Sequence, residues 1–318
     1  MSEGPSAAPG DDCLLLLAGD ADALAARLAG RLPPALAVLP CTDSTEARRK
    51  AGAATLALAE PDRLAAALDD LPRLRWVQST WAGVRPLVDH PRRDYTLTGV
   101  RGIFDAAMGE WVLGWLLALE RGILRRAGGR GWDPAPDRGL AGRRLGILGT
   151  GTLAQAVARR AAAFDLTCLG LNRHGTAAAG FARVYGAAAA RALARECDYL
   201  LALLPATAAT DGFVDAALLA ALPPGALLLN AGRGSTVTTA AVVEALRSGR
   251  LRGAVLDVLP QEPLAADDPL WDVDGLYLSS HTAAPTAADA IVEVFLANLT
   301  RYRAGAPLRE VVDFRRGY

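Results

Sequence analysis

Only three histidines occur among the 318 residues, at positions 90, 174 and 281, so each can be weighed singly as a proton donor. His90 precedes Pro91 in a segment that reads as a loop, and His174 lies beside a glycine-rich stretch suited to another task. By elimination the candidate acid is His281, in Leu278-Ser279-Ser280-His281-Thr282 after an apolar run. A nearby carboxylate would hold its imidazole protonated and in one tautomer, ready to give a proton to a carbonyl oxygen while hydride reaches the carbon. Glu262, within Asp257-Val258-Leu259-Pro260-Gln261-Glu262-Pro263-Leu264, can be that carboxylate. Arg233, within Asn230-Ala231-Gly232-Arg233-Gly234, is the anion candidate. Its planar fork matches a carboxylate, and a glycine on either side would let a small ligand come close. Each residue also has an ordinary reading: a satisfied strand-end histidine, a solvated loop arginine, or routine Glu-Pro loop chemistry. Scattered histidines and four isolated cysteines give no ligand spacing, so no metal site is expected.

A cofactor that carries hydride needs a cradle, and Arg144 to Ala158 supplies one. Leu145-Gly146-Ile147-Leu148 is strand-like, Gly149-Thr150-Gly151-Thr152-Leu153-Ala154 is a tight glycine turn, and Ala154 to Phe164 is helix-forming. Gly149 allows the turn, Gly151 lets the backbone approach a pyrophosphate, and Ala154 is the third small residue that lets helix and strand pack closely. The helix N-terminus then presents free N–H groups and a positive dipole end to phosphate. An NAD site of this kind carries an acidic residue about 20 positions on for the ribose 2′-hydroxyl. Here the next strand, Leu166 to Leu171, ends in Asn172-Arg173-His174-Gly175, with no Asp or Glu between Asp165 and Glu196. A guanidinium and an imidazole suit a 2′-phosphate, so NADP is expected over NAD.

These groups need a scaffold, and the composition allows one. At 52% hydrophobic content the chain can fill two cores of ordinary size. Acidic and basic residues balance at 34 each, so neither nucleic acid nor an anionic membrane is expected as a partner. Only Lys50 among the basic residues is a lysine, a bias that discounts arginine richness as a sign of anion binding. Met1 to Asp12 has no basic residue ahead of Leu14-Leu15-Leu16-Leu17 and reads as a frayed leader rather than a secretion signal. The longest apolar stretch, Trp111 to Leu119, is far below the roughly 20 residues of a membrane span. Cys13, Cys41, Cys168 and Cys197 show no C-x-x-C spacing and read as small hydrophobes of a cytoplasmic protein.

Short apolar runs alternate with helical patterns through the first hundred residues: Cys13 to Ala18, Ala35 to Leu39, Ala54 to Ala59, Leu74 to Gln78 and Tyr95 to Val100. From Gly146 to Asp257 a second series follows, with strands expected at Tyr199 to Leu204, Ala226 to Asn230 and Gly253 to Asp257. This alternation predicts an α/β protein with two doubly wound parallel sheets. The three catalytic candidates all follow strands, where open α/β sheets bind their ligands. Asp43 with Glu46 predicts a helix start, and Gly30 a helix stop. Ala106 to Arg126 predicts one long helix, apolar on every side at Trp111 to Leu119 and therefore buried on every side, between domains or against another subunit. A last amphipathic helix at Ala287 to Tyr302 aligns Ile291, Val294, Phe295 and Leu299.

In order and spacing, Leu-Gly-Ile-Leu-Gly-Thr-Gly, Leu204-Pro205-Ala206-Thr207, Asn-Ala-Gly-Arg-Gly, Leu-Asp-Val with Gln-Glu-Pro-Leu, Pro269-Leu270-Trp271 and the histidine segment resemble the D-isomer-specific 2-hydroxyacid dehydrogenase family. The likeness runs from about Leu14 to Tyr318. It is nearest to the glyoxylate and hydroxypyruvate reductase branch, through Gln78-Ser79-Thr80-Trp81-Ala82-Gly83-Val84, Val100-Arg101-Gly102-Ile103-Phe104 and Arg316-Gly317-Tyr318. The resemblance implies a trio of Arg233, Glu262 and His281. It implies nucleotide contacts at Thr150, Thr152, Leu153, Leu204, Pro205, Thr210, Ala231 and Gly232, and Asp257 near the nicotinamide. Backbone N–H groups at Ala82 and Gly83 would hold a substrate carboxylate, with Trp81 at the pocket. The implied fold is a Rossmann domain (106–284) inserted in a discontinuous flavodoxin-like substrate domain (1–105 and 285–318), with the last helix packing on the first hundred residues. A homodimer through the 106–126 helix is also implied. Two positions depart from the commoner pattern: Ser279-Ser280 replace a frequent Thr-Pro before the histidine, and Thr238-Thr239 replace an acidic pair. The expected activity is NADPH-dependent reduction of small 2-oxo acids, glyoxylate and hydroxypyruvate, with NADH the poorer coenzyme. The alternatives are a dehydrogenase of bulkier 2-oxo acids and a non-catalytic NADP(H)-sensing protein.

Overall fold

The computed structural model describes residues 12–127 and 131–317. Most of the expected leader, three residues of the loop expected at Gly128 to Gly142, and Tyr318 lie outside the described residues. The chain divides into two compact units, Met1–Ile103 with Thr286–Tyr318, and Phe104–Pro285.

In the first unit strands and helices alternate: β1 (Cys13–Leu17), α1 (Ala21–Leu28), β2 (Ala37–Cys41), α2 (Ser44–Lys50), β3 (Leu56–Ala59), α3 (Pro61–Ala67), β4 (Trp76–Ser79), α4 (Arg85–Asp89) and β5 (Thr96–Thr98). The sheet is parallel in the order β2-β1-β3-β4-β5, the flavodoxin-like winding. Leu14 to Leu17 and Leu56 to Ala59 are wholly buried, as unbroken apolar strands covered on both faces must be. The capping pair works as expected: Asp43 accepts from the Glu46 N–H at 2.8 Å, and Glu46 accepts from the Thr42 N–H at 3.0 Å. Gly30, just past α1, has φ +74°.

The second unit opens with α5 (Asp105–Glu120) and α6 (Ile123–Ala127), then β6 (Arg144–Leu148), α7 (Thr152–Ala161), β7 (Thr167–Asn172), β8 (Arg183–Gly186), α8 (Ala190–Arg195), β9 (Tyr199–Ala202), α9 (Ala216–Ala221), β10 (Ala226–Asn230), α10 (Thr239–Arg247), β11 (Leu251–Leu256) and β12 (Leu276–Leu278). The parallel order is β12-β11-β10-β9-β6-β7-β8. Counted from β6 this is the Rossmann order 3-2-1-4-5-6 with a seventh strand on one edge, and the winding reverses between β6 and β9. The chain then returns to the first unit as α11 (Ala288–Arg303). There Phe295 stacks on Trp76 at 5.3 Å, and Asp289 and Glu293 pair with Arg27 of α1 and with Arg31 just past it, at 2.8 and 2.7 Å.

One expectation is corrected and one strand is added to the series. The long helix is two helices, because Gly122 takes φ +58° and breaks the ladder after Glu120. Within this chain alone its burial is partial: Met108, Val112, Leu113 and Leu116 are buried, Trp111, Trp115 and Leu117 half-buried, and Gly114 exposed. Its buried face even includes Glu120, whose carboxylate accepts from the Tyr199 hydroxyl at 2.7 Å and the Arg252 guanidinium at 2.6 Å. Finally, β8 is a strand with no apolar run to announce it. The thiols behave as hydrophobes: burial pushes Cys168 up to about 11 and Cys197 up to about 12. No helix among the described residues is long and apolar enough to cross a membrane, and no three His, Cys, Asp or Glu among them are grouped to hold a metal.

Candidate active site

The glycine turn leaves β6 at the point where the winding reverses. Gly149 has φ +106°, and a Cβ there would stand 3.0 Å from the Leu203 carbonyl oxygen, so the turn admits only glycine. Gly151 caps α7 with no side-chain acceptor, and a Cβ on it would meet nothing within 4 Å. The first N–H groups of α7 thus open onto free space, the geometry a pyrophosphate requires. Ala154 lies on the buried face of α7, in the sheet's core, as its small size predicts. Across the switch point Leu204 is buried, and the Thr210 hydroxyl lies 2.5 Å from the Pro205 carbonyl, closing the turn after β9.

Asn172, at the end of β7, is occupied by the protein itself. Its amide donates to Thr150 Oγ1 at 3.0 Å and to the Thr176 carbonyl at 2.7 Å, and its oxygen accepts from the N–H groups of His174 and Thr176. All four hydrogen-bonding positions of the amide are filled. Asn172 therefore ties the glycine turn to the Arg173-His174 loop. The side chains of Arg173 and His174 are exposed and make no hydrogen bond or ion pair with the described residues. The free helix N-terminus after β6 and these two side chains after β7 thus stand at the ends of adjacent strands, an arrangement that fits a dinucleotide.

Arg233, Glu262 and His281 come together in this same unit, on the loops after β10, β11 and β12. The Arg233 carbonyl is held by Asn230 Nδ2 at 3.2 Å and Thr236 Oγ1 at 2.7 Å, and its guanidinium donates to the Gly232 carbonyl at 2.7 Å. Burial pulls the guanidinium below its ordinary pKa, and the nearby Glu262 charge opposes that pull. The flanking glycines have a different reason from the one expected. A Cβ on Gly232 would stand 2.9 Å from the Leu204 carbonyl oxygen, and one on Gly234 would stand 2.0 Å from the Leu259 carbonyl. They let three backbone segments touch, rather than clearing space for a ligand.

Glu262 is fixed at both oxygens: Oε1 accepts from the Leu259 N–H at 2.7 Å, and Oε2 lies 2.7 Å from His281 Nδ1. An ionised carboxylate only accepts, so Nδ1 carries hydrogen and Nε2 is left as the nitrogen that can release a proton. Ser280 and His281 both sit left-handed, at φ +54° and +57°. That costs L-residues roughly 1–2 kcal/mol each. Asp257 offsets it: its carbonyl accepts from the His281 N–H at 2.7 Å, and its buried carboxylate accepts from Thr282 N at 2.8 Å, Ala283 N at 3.0 Å and Ser279 Oγ at 2.6 Å. Asp257 thus spends its carboxylate on the histidine loop, a role its position after a strand could not announce. Beside His281 and Glu262 lies a cavity of about 410 Å³ with Leu259, Leu264, Trp271 and Leu278 in its wall.

Trp81, Ala82 and Gly83 belong to the first unit, just past β4. The Ser79 hydroxyl bridges the Trp81 N–H and carbonyl, at 3.1 and 2.7 Å, and Trp81 is 39% exposed. The N–H groups of Ala82 and Gly83 donate to no acceptor among the described residues.

Residues 115–283 match the family model described as D-isomer specific 2-hydroxyacid dehydrogenase, NAD binding domain. A crystal structure of a D-isomer specific 2-hydroxyacid dehydrogenase family protein from Aeromonas salmonicida is 38% identical and superposes with a TM-score of 0.89, covering 96% of this chain and 100% of that one. An NADPH-dependent glyoxylate/hydroxypyruvate reductase from Sinorhizobium meliloti, solved with NADP and sulfate, is 30% identical at a TM-score of 0.86, over 96% and 100%. Glyoxylate/hydroxypyruvate reductase A of Salmonella heidelberg is 36% identical over 189 residues, 59% of this chain and 60% of that protein's length. The family match over half the chain, on a structure with both parallel sheets in place, settles the class: the chain belongs to the D-isomer specific 2-hydroxyacid dehydrogenases, enzymes dependent on NAD(P).

Proposed function

We propose that this chain is an NADPH-dependent reductase of small 2-oxo acids such as glyoxylate and hydroxypyruvate, with His281 as general acid. The observation that carries this reading is the 2.7 Å pairing of His281 Nδ1 with Glu262 beside Arg233, in the same unit as an open glycine turn. When bound, the reduced nicotinamide supplies the hydride taken by the ketone carbon. Arg233 pairs with the substrate carboxylate and polarises the ketone oxygen. His281 Nε2 releases a proton to that oxygen, and Glu262 keeps the imidazole in one tautomer and orientation. In the first unit the free N–H groups of Ala82 and Gly83 are the proposed carboxylate donors. The domain roles follow: 106–284 binds NADP, and 1–105 with 285–318 binds substrate. The half-exposed apolar face of α5 supports a homodimer through 106–126.

Arg173 and His174 are the proposed 2′-phosphate ligands, with Asn172 as their brace. The S. meliloti reductase, NADPH-dependent and solved with NADP, supports this coenzyme choice. Arg173→Ala is expected to raise the KM for NADPH by roughly 10-fold or more, the worth of a charged hydrogen bond, and to leave the KM for NADH within about threefold. A wild-type KM for NADH at or below that for NADPH contradicts the choice.

A second reading keeps the chemistry and changes the substrate. The largely apolar cavity beside His281 has room for a branched or aromatic substituent, which favours bulkier 2-oxo acids. A non-catalytic NADP(H) sensor is the weaker alternative, because the proton donor, its carboxylate and the arginine are all in place.

A further inference from the structure

We infer that Trp111 and Ser279 are positioning residues that hold His281 in its reacting orientation, an inference that rests on the proposed role of His281 as proton donor. Ser279 directly follows β12, and its hydroxyl oxygen lies 2.6 Å from Asp257 Oδ1 and 3.2 Å from Trp111 Nε1. The direction of both bonds is set by chemistry: an indole N–H only donates and a carboxylate only accepts, so the hydroxyl accepts from Trp111 and donates to Asp257. Asp257 passes the constraint on, through its carbonyl to the His281 N–H and through its carboxylate to the N–H groups of Thr282 and Ala283 on the far side of the histidine.

The indole itself is anchored. Trp111 meets Trp115 edge-on at 6.4 Å, and Trp115 packs on Tyr277 of β12 at 5.5 Å, two residues before Ser279. A helix and a strand thus grip the hydroxyl from both ends. The loop requires this grip because Ser280 and His281 are both left-handed without being glycine. A proline at 280 would be locked near φ −65° and could not adopt the observed +54°. The conformation therefore depends on hydrogen bonds instead of a ring. Ser279 and Trp111 act through Asp257, so their loss moves the histidine without removing a reacting group.

The test uses the full-length enzyme with NADPH and glyoxylate. Ser279→Ala and Trp111→Phe are each expected to lower kcat by roughly 10-fold with the KM for NADPH within about twofold, the signature of a misplaced proton donor. Ser279→Thr, which keeps the hydroxyl, is expected to restore kcat to within about twofold of wild type. A readout without turnover accompanies it: the imidazole NMR signal of His281, identified among three histidines by its loss in His281→Asn, stays sharp in wild type and Ser279→Thr and broadens or doubles in Ser279→Ala. Wild-type kcat together with an unchanged His281 signal in Ser279→Ala overturns the relay. A wild-type enzyme that turns over none of the 2-oxo acids overturns the functional reading instead, and the NMR comparison then decides the relay on its own.

Discussion

His281→Ala is expected to cut turnover by roughly 10²-fold or more while NADPH affinity stays within about threefold, the effect of removing a general acid from an otherwise intact site. The expectation follows from how completely the imidazole is specified. Its Nδ1 faces Glu262 Oε2 at 2.7 Å, Glu262 is pinned by the Leu259 N–H, and the backbone at 281 is fixed by Asp257. A group ordered to that degree while 59% of its side chain remains exposed is held for contact with something outside the protein. Water can replace the lost acid only at the entropic cost of being positioned, which is why the loss falls on kcat more than on binding. Stopped-flow nucleotide binding with steady-state rates separates the two. Near-normal turnover with retained NADPH binding contradicts the assignment.

Arg233→Ala is expected to lower kcat/KM for the 2-oxo acid by about 10²- to 10³-fold, since it removes both the carboxylate's partner and the group that stabilises charge growing on the ketone oxygen. Arg233→Lys is expected to recover only a small part, because a point charge cannot reproduce a planar fork set by the Gly232 carbonyl. Coenzyme KM values are expected to stay within about threefold in both, since the glycine turn and Arg173 are untouched. An unchanged KM and kcat for the 2-oxo acid in Arg233→Ala removes the residue from the substrate site.

What could be read from the chain ahead of its structure divides by how local the cause is. Gly149, Gly151 and Ala154 were legible because a strand, a turn and a helix start are written in ten consecutive residues, and the same holds for Asp43 with Glu46. The unbroken leucine and alanine runs of β1 and β3 announced strands covered on both faces. Arg183-Val184-Tyr185-Gly186 did not announce β8, because it earns its place by pairing with β7 rather than by apolar pattern. The break after Glu120 was hidden by an apolar pattern that outvoted Gly122. Arg233, Glu262 and His281 were singled out by chemistry and by resemblance, and the 2.7 Å approach of His281 to Glu262 could not be read from the chain. Gly232 and Gly234 were noticed for the wrong reason, since the backbones they accommodate come from Leu204 and Leu259, tens of residues away. Asn172 likewise drew attention as a ligand and serves as a brace. The Trp111–Ser279–Asp257 chain spans 168 residues between its first two members, and only the departure at Ser279-Ser280 hinted that this loop is held in its own way.

The most direct test of the account is steady-state oxidation of NADPH and NADH with glyoxylate, hydroxypyruvate, pyruvate and phenylpyruvate side by side. The account predicts the highest kcat/KM for NADPH with glyoxylate or hydroxypyruvate. Preference for phenylpyruvate contradicts the small-substrate reading in favour of the bulkier one, and tight NADPH binding with no oxidation across the whole panel contradicts the claim that this chain is a 2-oxo acid reductase.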